Sequence, residues 1–377
     1  MFSDLQRSLN KIMLVTKRLE RNPAGGRELL SRLNHDALHA LCGNNMVVFE
    51  LPVDCFRGVS AYFSAFRGHI DGLNEAIIEA ALKKVHDARI TQVFVDGSNL
   101  GGFVAVLKRR MPQVEIITFF HNAEARFFWG SLRLQKSLHA LGVLIANYLA
   151  ERKAVKYSNK IVCLSQRDSR LLKRLYRRGA THIAPMVLED KCPPEFLQSK
   201  VQAPERFALF VGGTFYANCQ GIAWFVREVV PHINIPLFIV GRGFDALRSE
   251  LEIPDKVIVV GAVDSLADWY RRAQFVIAPI FDGSGMKTKV AEALMYGKKI
   301  IATPEAFSGY DDLATKAGWV CETVDEFVAA IDSAKSEIKQ SFDPALRDLY
   351  LERYSFKAAT VRLEKILYEN FTYNSRI

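Results

Sequence analysis

The chain has 377 residues, 49% of them hydrophobic and 24% charged, with a net charge of +9. That length suits two domains of roughly 150–200 residues and not one core, and the composition excludes disordered and low-complexity architectures. No apolar stretch reaches the about 20 residues that a membrane span needs, the longest lying near residues 138–149.

The early apolar run at residues 12–15 is too short for a secretory signal and has charges around it. Six cysteines (Cys42, Cys55, Cys163, Cys192, Cys219 and Cys321) are scattered without a CxxC pair, which fits free thiols in a reducing compartment. A cytoplasmic protein, free or peripheral on the inner face of a membrane, is expected. Charge is uneven: residues 151–178 hold ten Lys/Arg against Glu151 and Asp168. Such a patch attracts a phospholipid surface, a polyphosphate or nucleic acid, although a solvated helix face has the same composition.

Short, continuous apolar runs predict strands at 12–16, 46–51, 92–95, 115–120, 160–163 and 183–186 in the first half. In the second half they fall at 207–211, 237–240, 257–260, 275–278 and 299–302. Continuous runs mark strands buried on both faces, and alternation with helices implies parallel sheets of βαβ units. Residues 27–42 place Leu30, Leu33, Ala37 and Leu41 on one helical stripe. A helix from Val290 ends at Gly297, and residues 356–371 are helical in pattern. Residues 188–204 hold Pro193, Pro194 and Pro204 without periodicity. The expected layout is a first domain over 1–190, a linker over 191–204, a second domain over 205–354, and a C-terminal helix within 355–377 that can return to the first domain. The fold class is α/β, with two doubly wound Rossmann-like domains facing across a cleft. Ligands of such sheets sit beyond the carboxyl ends of the strands.

The richest loop follows the strand at 275–278. Gly283 and Gly285 permit close backbone approach, and the next helix presents free N–H groups to an anion. Lys287 and Lys289 add positive charge. Glu292, two turns into the helix, can accept vicinal hydroxyls such as those of a ribose.

Residues 282–302, DGSGMKTKVAEALMYGKKIIA, resemble the donor-binding segment of family 4 glycosyltransferases of the GT-B fold. The resemblance extends to FVGGT at 210–214, IVGRG at 239–243, VGAVD at 260–264 followed by Leu266, and the early turn Pro23-Ala-Gly-Gly26. It also takes in His121-Asn122, and Leu164-Ser165 followed by Asp168. It implies retaining transfer of a sugar from a nucleotide-diphosphate sugar to a saccharide or lipid-linked acceptor in glycan biosynthesis, without a metal or other cofactor. By position it implies donor contacts at Gly25, Gly213, Thr214, Arg242, Val263, Asp264, Ser284, Gly285, Met286, Lys289 and Glu292, and catalytic roles at His121, Lys287 and Gly26.

Two departures stand out. The family's first acid, eight positions before Glu292, is Ser284 here, and Gly213 and Gln220 stand where the family carries a diphosphate-gripping Arg and Lys. Lys287, Lys289 and Arg242 are the candidates to supply that charge. No Asp-x-Asp triplet occurs, so no metal is needed to neutralise the leaving group.

His121, just past a strand, can hydrogen-bond the donor sugar or handle an acceptor proton; a structural loop histidine is the alternative. Residues 96–101 (DGSNLG) can face the acceptor or simply fill a turn. His35 and His39 have metal-ligand spacing but no third ligand, and a metal is rejected there. Aromatic and basic residues cluster at Phe56, Arg57, Tyr62, Phe63, Phe66 and Arg67, and at Phe127, Phe128, Trp129, Arg133 and Lys136. With Arg170, Lys173, Arg174, Arg177 and Arg178 they resemble an anionic-membrane surface, or ordinary core packing. Gly241-Arg-Gly-Phe-Asp-Ala246 fits GxGxxA, so an NAD-dependent oxidoreductase is a second reading, and a sugar-nucleotide epimerase a third. No helix-turn-helix, RNP-type or zinc signature is present, and nucleic acid is not an expected partner.

Overall fold

The computed structural model describes residues 10–20, 26–52, 64–198, 203–283 and 285–369. The chain divides into two compact units, one of residues 1–187 with 356–377 and one of residues 188–355.

The first unit contains β1 (Ile12–Lys17), β2 (Met46–Leu51), β3 (Gln92–Asp96), β4 (Glu115–Phe120), β5 (Lys160–Cys163) and β6 (His182–Ile183). They form one parallel sheet in the order β2-β1-β3-β4-β5-β6. Its helices are α1 (Gly26–Cys42), α2 (Glu75–Asp87), α3 (Gly101–Arg110), α4 (Glu124–Gln135), α5 (Leu138–Tyr157) and α6 (Gln166–Tyr176), with the C-terminal helix Phe356–Tyr368 added from the far end of the chain. β3 and β5 are buried along their whole length, as strands covered on both faces must be. The edge strand β2 is only partly buried. A strand is expected over 183–186, but pairing stops at Ile183, because Pro185 has no N–H to donate to the ladder.

The second unit contains β7 (Ala208–Val211), β8 (Leu237–Val240), β9 (Val257–Gly261), β10 (Phe275–Ala278), β11 (Ile300–Ala302) and β12 (Gly318–Val320). The sheet is again parallel, in the order β12-β11-β10-β7-β8-β9. β12 has no counterpart among the expected strands: it is three residues on a sheet edge, too short to show an apolar run. The helices used below are α7 (Pro194–Gln198), α8 (Tyr216–Trp224), α9 (Ala267–Arg272), α10 (Thr288–Met295), α11 (Val324–Glu337) and α12 (Pro344–Arg353).

Residues 188–198, which span the end of the expected first domain and the described start of the expected linker, are not a free spacer. Leu188 N–H donates to the Tyr354 carbonyl at 2.9 Å, Asp190 is ion-paired with Arg347, and the Phe196 ring packs 5.7 Å from Tyr296 and 5.8 Å from Phe342. All of these partners belong to the second unit. Pro194 starts the short helix α7, and buried Phe196 packs against rings at the end of α10 and just before α12.

Each sheet has one place where neighbouring strands send the chain to opposite sides. In the first it lies between β1 and β3, in the second between β7 and β10. Ligand crevices of doubly wound sheets open at the carboxyl ends of such strand pairs.

Candidate active site

At the first switch, Asp96 ends β3 and is 3% exposed. Its carboxylate accepts from Thr16 Oγ1 on β1 at 3.0 Å, from Asn34 Nδ2 on α1 at 3.2 Å, and from His121 Nε2 just past β4 at 3.0 Å. Burial alone would raise the Asp96 pKa. The His121 charge and hydrogen bond, with bonds from Ser31 and Asn34, instead hold it well below the usual carboxylate range. The ionised carboxylate fixes the His121 ring with a proton on Nε2 and leaves buried Nδ1 without a partner among the described residues. A buried polar atom left unpaired costs free energy, and such atoms concentrate where a ligand completes them.

Around this histidine lie further charges. Lys17 at the end of β1 pairs with Asp71 at 2.7 Å. Arg27, in the first turn of α1, reaches Asn99 Oδ1 at 3.2 Å. Glu124, 6% exposed, has its carboxyl raised by burial, against the pull of Arg27 and His121. Gly26 starts α1, and a side chain built there would meet nothing within 4 Å among the described residues. Gly25 and the rest of its turn lie outside the described residues.

A second buried carboxylate orders the floor of this region. Glu151 on α5 is fully buried and accepts from the Glu124 N–H at 2.9 Å, the Ala125 N–H at 3.2 Å, Ser98 Oγ at 3.2 Å and the Tyr176 hydroxyl at 2.7 Å. Burial pushes it up to about 7 despite those bonds. The sequence marked residues 96–101 as a turn. It gave no sign that Ser98 and the start of α4 share one acid 26 residues or more away.

At the second switch, α10 follows β10, and the Nζ of Lys289 crosses to the end of β7, donating to the Val211 carbonyl at 2.6 Å. It also lies 5.1 Å from the Phe210 ring centroid. Burial lowers Lys289 to about 8, with Glu292 pulling the other way. Lys289 is therefore beneath the turn after β7, where a Cβ at Gly212 would lie 2.4 Å from its Nζ. The turn after β8 is locked to this one: Gly241 has φ +152°, and a Cβ there would sit 1.6 Å from the Gly212 carbonyl oxygen. Only glycine permits that approach.

Glu292 accepts from the Tyr270 hydroxyl on α9 at 3.0 Å, and Tyr270 stacks on Tyr296 at 4.3 Å. Burial raises the Glu292 carboxyl, while Tyr270 and Lys289 lower it. Lys287 caps the start of α10 and pairs with Glu305 at 2.8 Å. Gly213, Thr214 and Arg242 are exposed on the loops after β7 and β8, and Arg242 has no charged partner among the described residues. Val263 is half-buried and Asp264 exposed after β9; Gly285 is in the left-handed region at φ +67°, and Met286 is buried. Ser284 lies outside the described residues. The second unit thus gathers its expected donor contacts at the carboxyl ends of four strands. The GxGxxA segment follows β8, whereas a dinucleotide fingerprint belongs after the first strand at the switch, here β7.

His35 Nδ1 bonds Asp36 at 2.8 Å and its ring stacks on His39, and no group of three His, Cys, Asp or Glu among the described residues is placed to hold a metal. Arg170, Lys173 and Arg174 on α6 and Arg177 just past its end are exposed. Arg178 does not belong with them: its guanidinium donates to the Val155, Ser158 and Asn159 carbonyls and caps the end of α5. Beside them an apolar cavity of about 450 Å³ is lined by Trp129, Leu144, Ile145, Tyr148, Leu171 and Leu175 among others. Trp129 is 49% exposed, with Arg133 over its ring. Phe66 is exposed; Phe56, Arg57, Tyr62 and Phe63 lie outside the described residues. No described helix is long and apolar enough to cross a membrane.

Comparison with known proteins fits this geometry. No curated protein matches the chain by sequence. The fold is similar to sucrose-phosphate synthase from Thermosynechococcus elongatus, with a TM-score of 0.70 and 15% identity over 95% of this chain and 98% of that one. It is also similar to Anabaena HepE in complex with UDP, with a TM-score of 0.63 and 10% identity over 95% and 99% of the two chains. The apo lipopolysaccharide outer core galactosyltransferase WaaB has a TM-score of 0.62 and 15% identity over 96% and 100%. The chain has the α/β fold of GT-B glycosyltransferases. Residues 205–336, which carry β7 to β12 and every second-unit residue named above as an expected donor contact, match the family Glycosyl transferases group 1, so that the second unit is a glycosyltransferase domain.

Proposed function

We propose that this protein is a retaining glycosyltransferase of the family 4 type, moving a sugar from a nucleoside-diphosphate donor to a saccharide or lipid-linked acceptor in glycan biosynthesis. The observation that carries this reading is Lys289 under the Gly212–Gly213 turn, with Glu292 one helical turn further on. A cation below a glycine turn suits a diphosphate, and a carboxylate braced by Tyr270 suits a ribose diol. HepE, of similar fold, has been seen with UDP and with UDP-glucose.

In the reaction the sugar C1–O bond to the diphosphate breaks, its electron pair stays on the leaving group, and the acceptor oxygen bonds to C1 and gives its proton to the departing diphosphate. Charge building on the diphosphate is met by Lys289, Arg242 and the N–H groups at the start of α10. His121, its ring fixed by Asp96, offers Nδ1 to a ligand at the first switch. Such transfer needs no metal. The exposed cations of α6 and the apolar cavity beside Trp129 suit the phosphate and chain of a membrane-borne acceptor, which makes the enzyme peripheral on an anionic membrane.

A thermal-shift screen with UDP, GDP, ADP, CMP and NAD(H) tests the class. One diphosphate should stabilise the protein and NAD(H) should not. Stabilisation by NAD(H) alone would favour an oxidoreductase, and interconversion of free sugar nucleotides without an acceptor would favour an epimerase.

A further inference from the structure

The first unit carries a second concentration of charge away from the switch residues. A cavity of about 360 Å³ lies where α2, α3 and α5 meet residues 67–69. It is lined by Arg67, Arg109, Arg152, Lys153 and Lys156, with His69 beside them, and no carboxylate among the described residues lines it. None of these five cations has an ion-pair partner among the described residues. Their hydrogen bonds position the charges without neutralising them: Lys153 Nζ donates to the Arg67 carbonyl at 3.0 Å and Arg109 Nε to the Ala105 carbonyl at 3.1 Å. Lys156 lies 5.1 Å from the Tyr157 ring centroid.

Arg152 and Lys156 are one turn apart on α5, a like-charge spacing that destabilises a helix. The next residue on α3 makes the contrast: Arg110, turned elsewhere, pairs with Glu79 at 2.6 Å. Burial and the neighbouring Arg109 charge lower the Lys153 pKa, as crowding of uncompensated cations requires. Five cations around one hollow repel one another, and an anion in that hollow removes the repulsion. Two or more guanidinium forks suit phosphate oxygens in particular.

We propose that this cavity is a binding site for an anionic phosphate group, either a free pyrophosphate-type anion or a lipid headgroup, separate from the donor site. The test uses the full chain and the Arg109→Gln/Arg152→Gln double variant, both side chains being exposed. Inorganic pyrophosphate is titrated by calorimetry. Sedimentation with phosphatidylcholine vesicles, with and without phosphatidylglycerol, is measured in an Arg170→Glu/Arg174→Glu background, so that α6 does not contribute. A loss of pyrophosphate affinity of at least about tenfold in the double variant identifies a free anion. A matching loss of phosphatidylglycerol-dependent sedimentation identifies a headgroup. If the parent binds neither, or the double variant binds both as the parent does, the proposal is overturned. Nucleoside-diphosphate stabilisation should be the same in parent and variant. Its absence from both would count against the donor reading and leave the cavity result standing.

Discussion

Lys287 and Lys289 are two residues apart and hold their charges in opposite ways: Lys287 against the Glu305 carboxylate at 2.8 Å, Lys289 against the Val211 carbonyl at 2.6 Å. Proximity to the glycine turn favours Lys287 as the diphosphate ligand from sequence. The ion pair with Glu305 offsets its charge locally, whereas among the described residues Lys289 donates its one hydrogen bond to a backbone oxygen and has no ion-pair partner. Lys289→Met should therefore weaken nucleoside-diphosphate binding by about 10²-fold, and Lys287→Met by less. Because Lys289 is lowered to about 8, its cation is lost as pH rises through that value. Affinity in the parent should fall above pH 8, and Lys289→Met should flatten the profile. Parent-like affinity in both variants would move the diphosphate to Arg242.

Tyr270→Phe removes the hydroxyl that steadies Glu292 and nothing else of that size. Loss of one hydrogen bond to a half-buried carboxylate should raise the nucleoside-diphosphate dissociation constant by about tenfold. Glu292→Gln should do at least as much, and the double variant no more than Glu292→Gln alone, because both act on one group. Additive losses in a binding cycle would show that Tyr270 contacts the ligand independently.

Asp96→Asn should lower turnover by about 10² while leaving nucleotide affinity near the parent value, since it releases the His121 ring without touching the second unit. His121→Ala should match it, and the pair should be no worse than either. A fall in nucleotide affinity equal to the fall in turnover would assign Asp96 to the fold and not to the reaction.

Glu151 predicts a pH dependence of stability. Its folded pKa, about 7, lies above the ordinary 4.5, so the folded state binds the extra proton between these values. The stabilisation is fully present below pH 4.5 and is lost as pH rises through 7, on the order of 3 kcal/mol in all. Glu151→Gln should remove that slope from the first unit, measured by hydrogen exchange of the α4 and α5 amides from pH 5 to 8. An unchanged slope would show that Glu151 is ionised throughout.

Transfer should persist in excess EDTA. Activity abolished by EDTA and restored by a divalent cation would overturn the metal-free reading.

Much of the architecture was legible because buried parallel strands announce themselves as apolar runs: those of β7 to β11 need no partner to be recognised. The glycine-rich loop and Glu292 were legible for a similar reason, since helix starts and close turns have local chemistry. Three relationships were not. Thr16 with Asp96, Lys289 with Val211, and Tyr270 with Glu292 join residues 80, 78 and 22 apart. The first two depend on which strands become neighbours at a switch. The third depends on the pairing of two helices, each of ordinary composition. Arg178 was grouped with its basic neighbours because charge is visible in a sequence and carbonyl capping is not.

The C-terminal helix changes the order in which the protein can be made. Gln92 Nε2 donates to the Leu367 carbonyl at 2.8 Å, and buried Lys160 donates to the Ile366 carbonyl at 2.7 Å. Both acceptors leave the ribosome only after all of residues 188–355 have been synthesised. The first unit is thus begun first and finished last, holding Lys160 without its backbone acceptor through that interval. The second unit is continuous in sequence and can complete its core while the first still waits. Once folded, it tethers the returning helix at short range, so the closure entropy of a long unfolded loop is largely avoided.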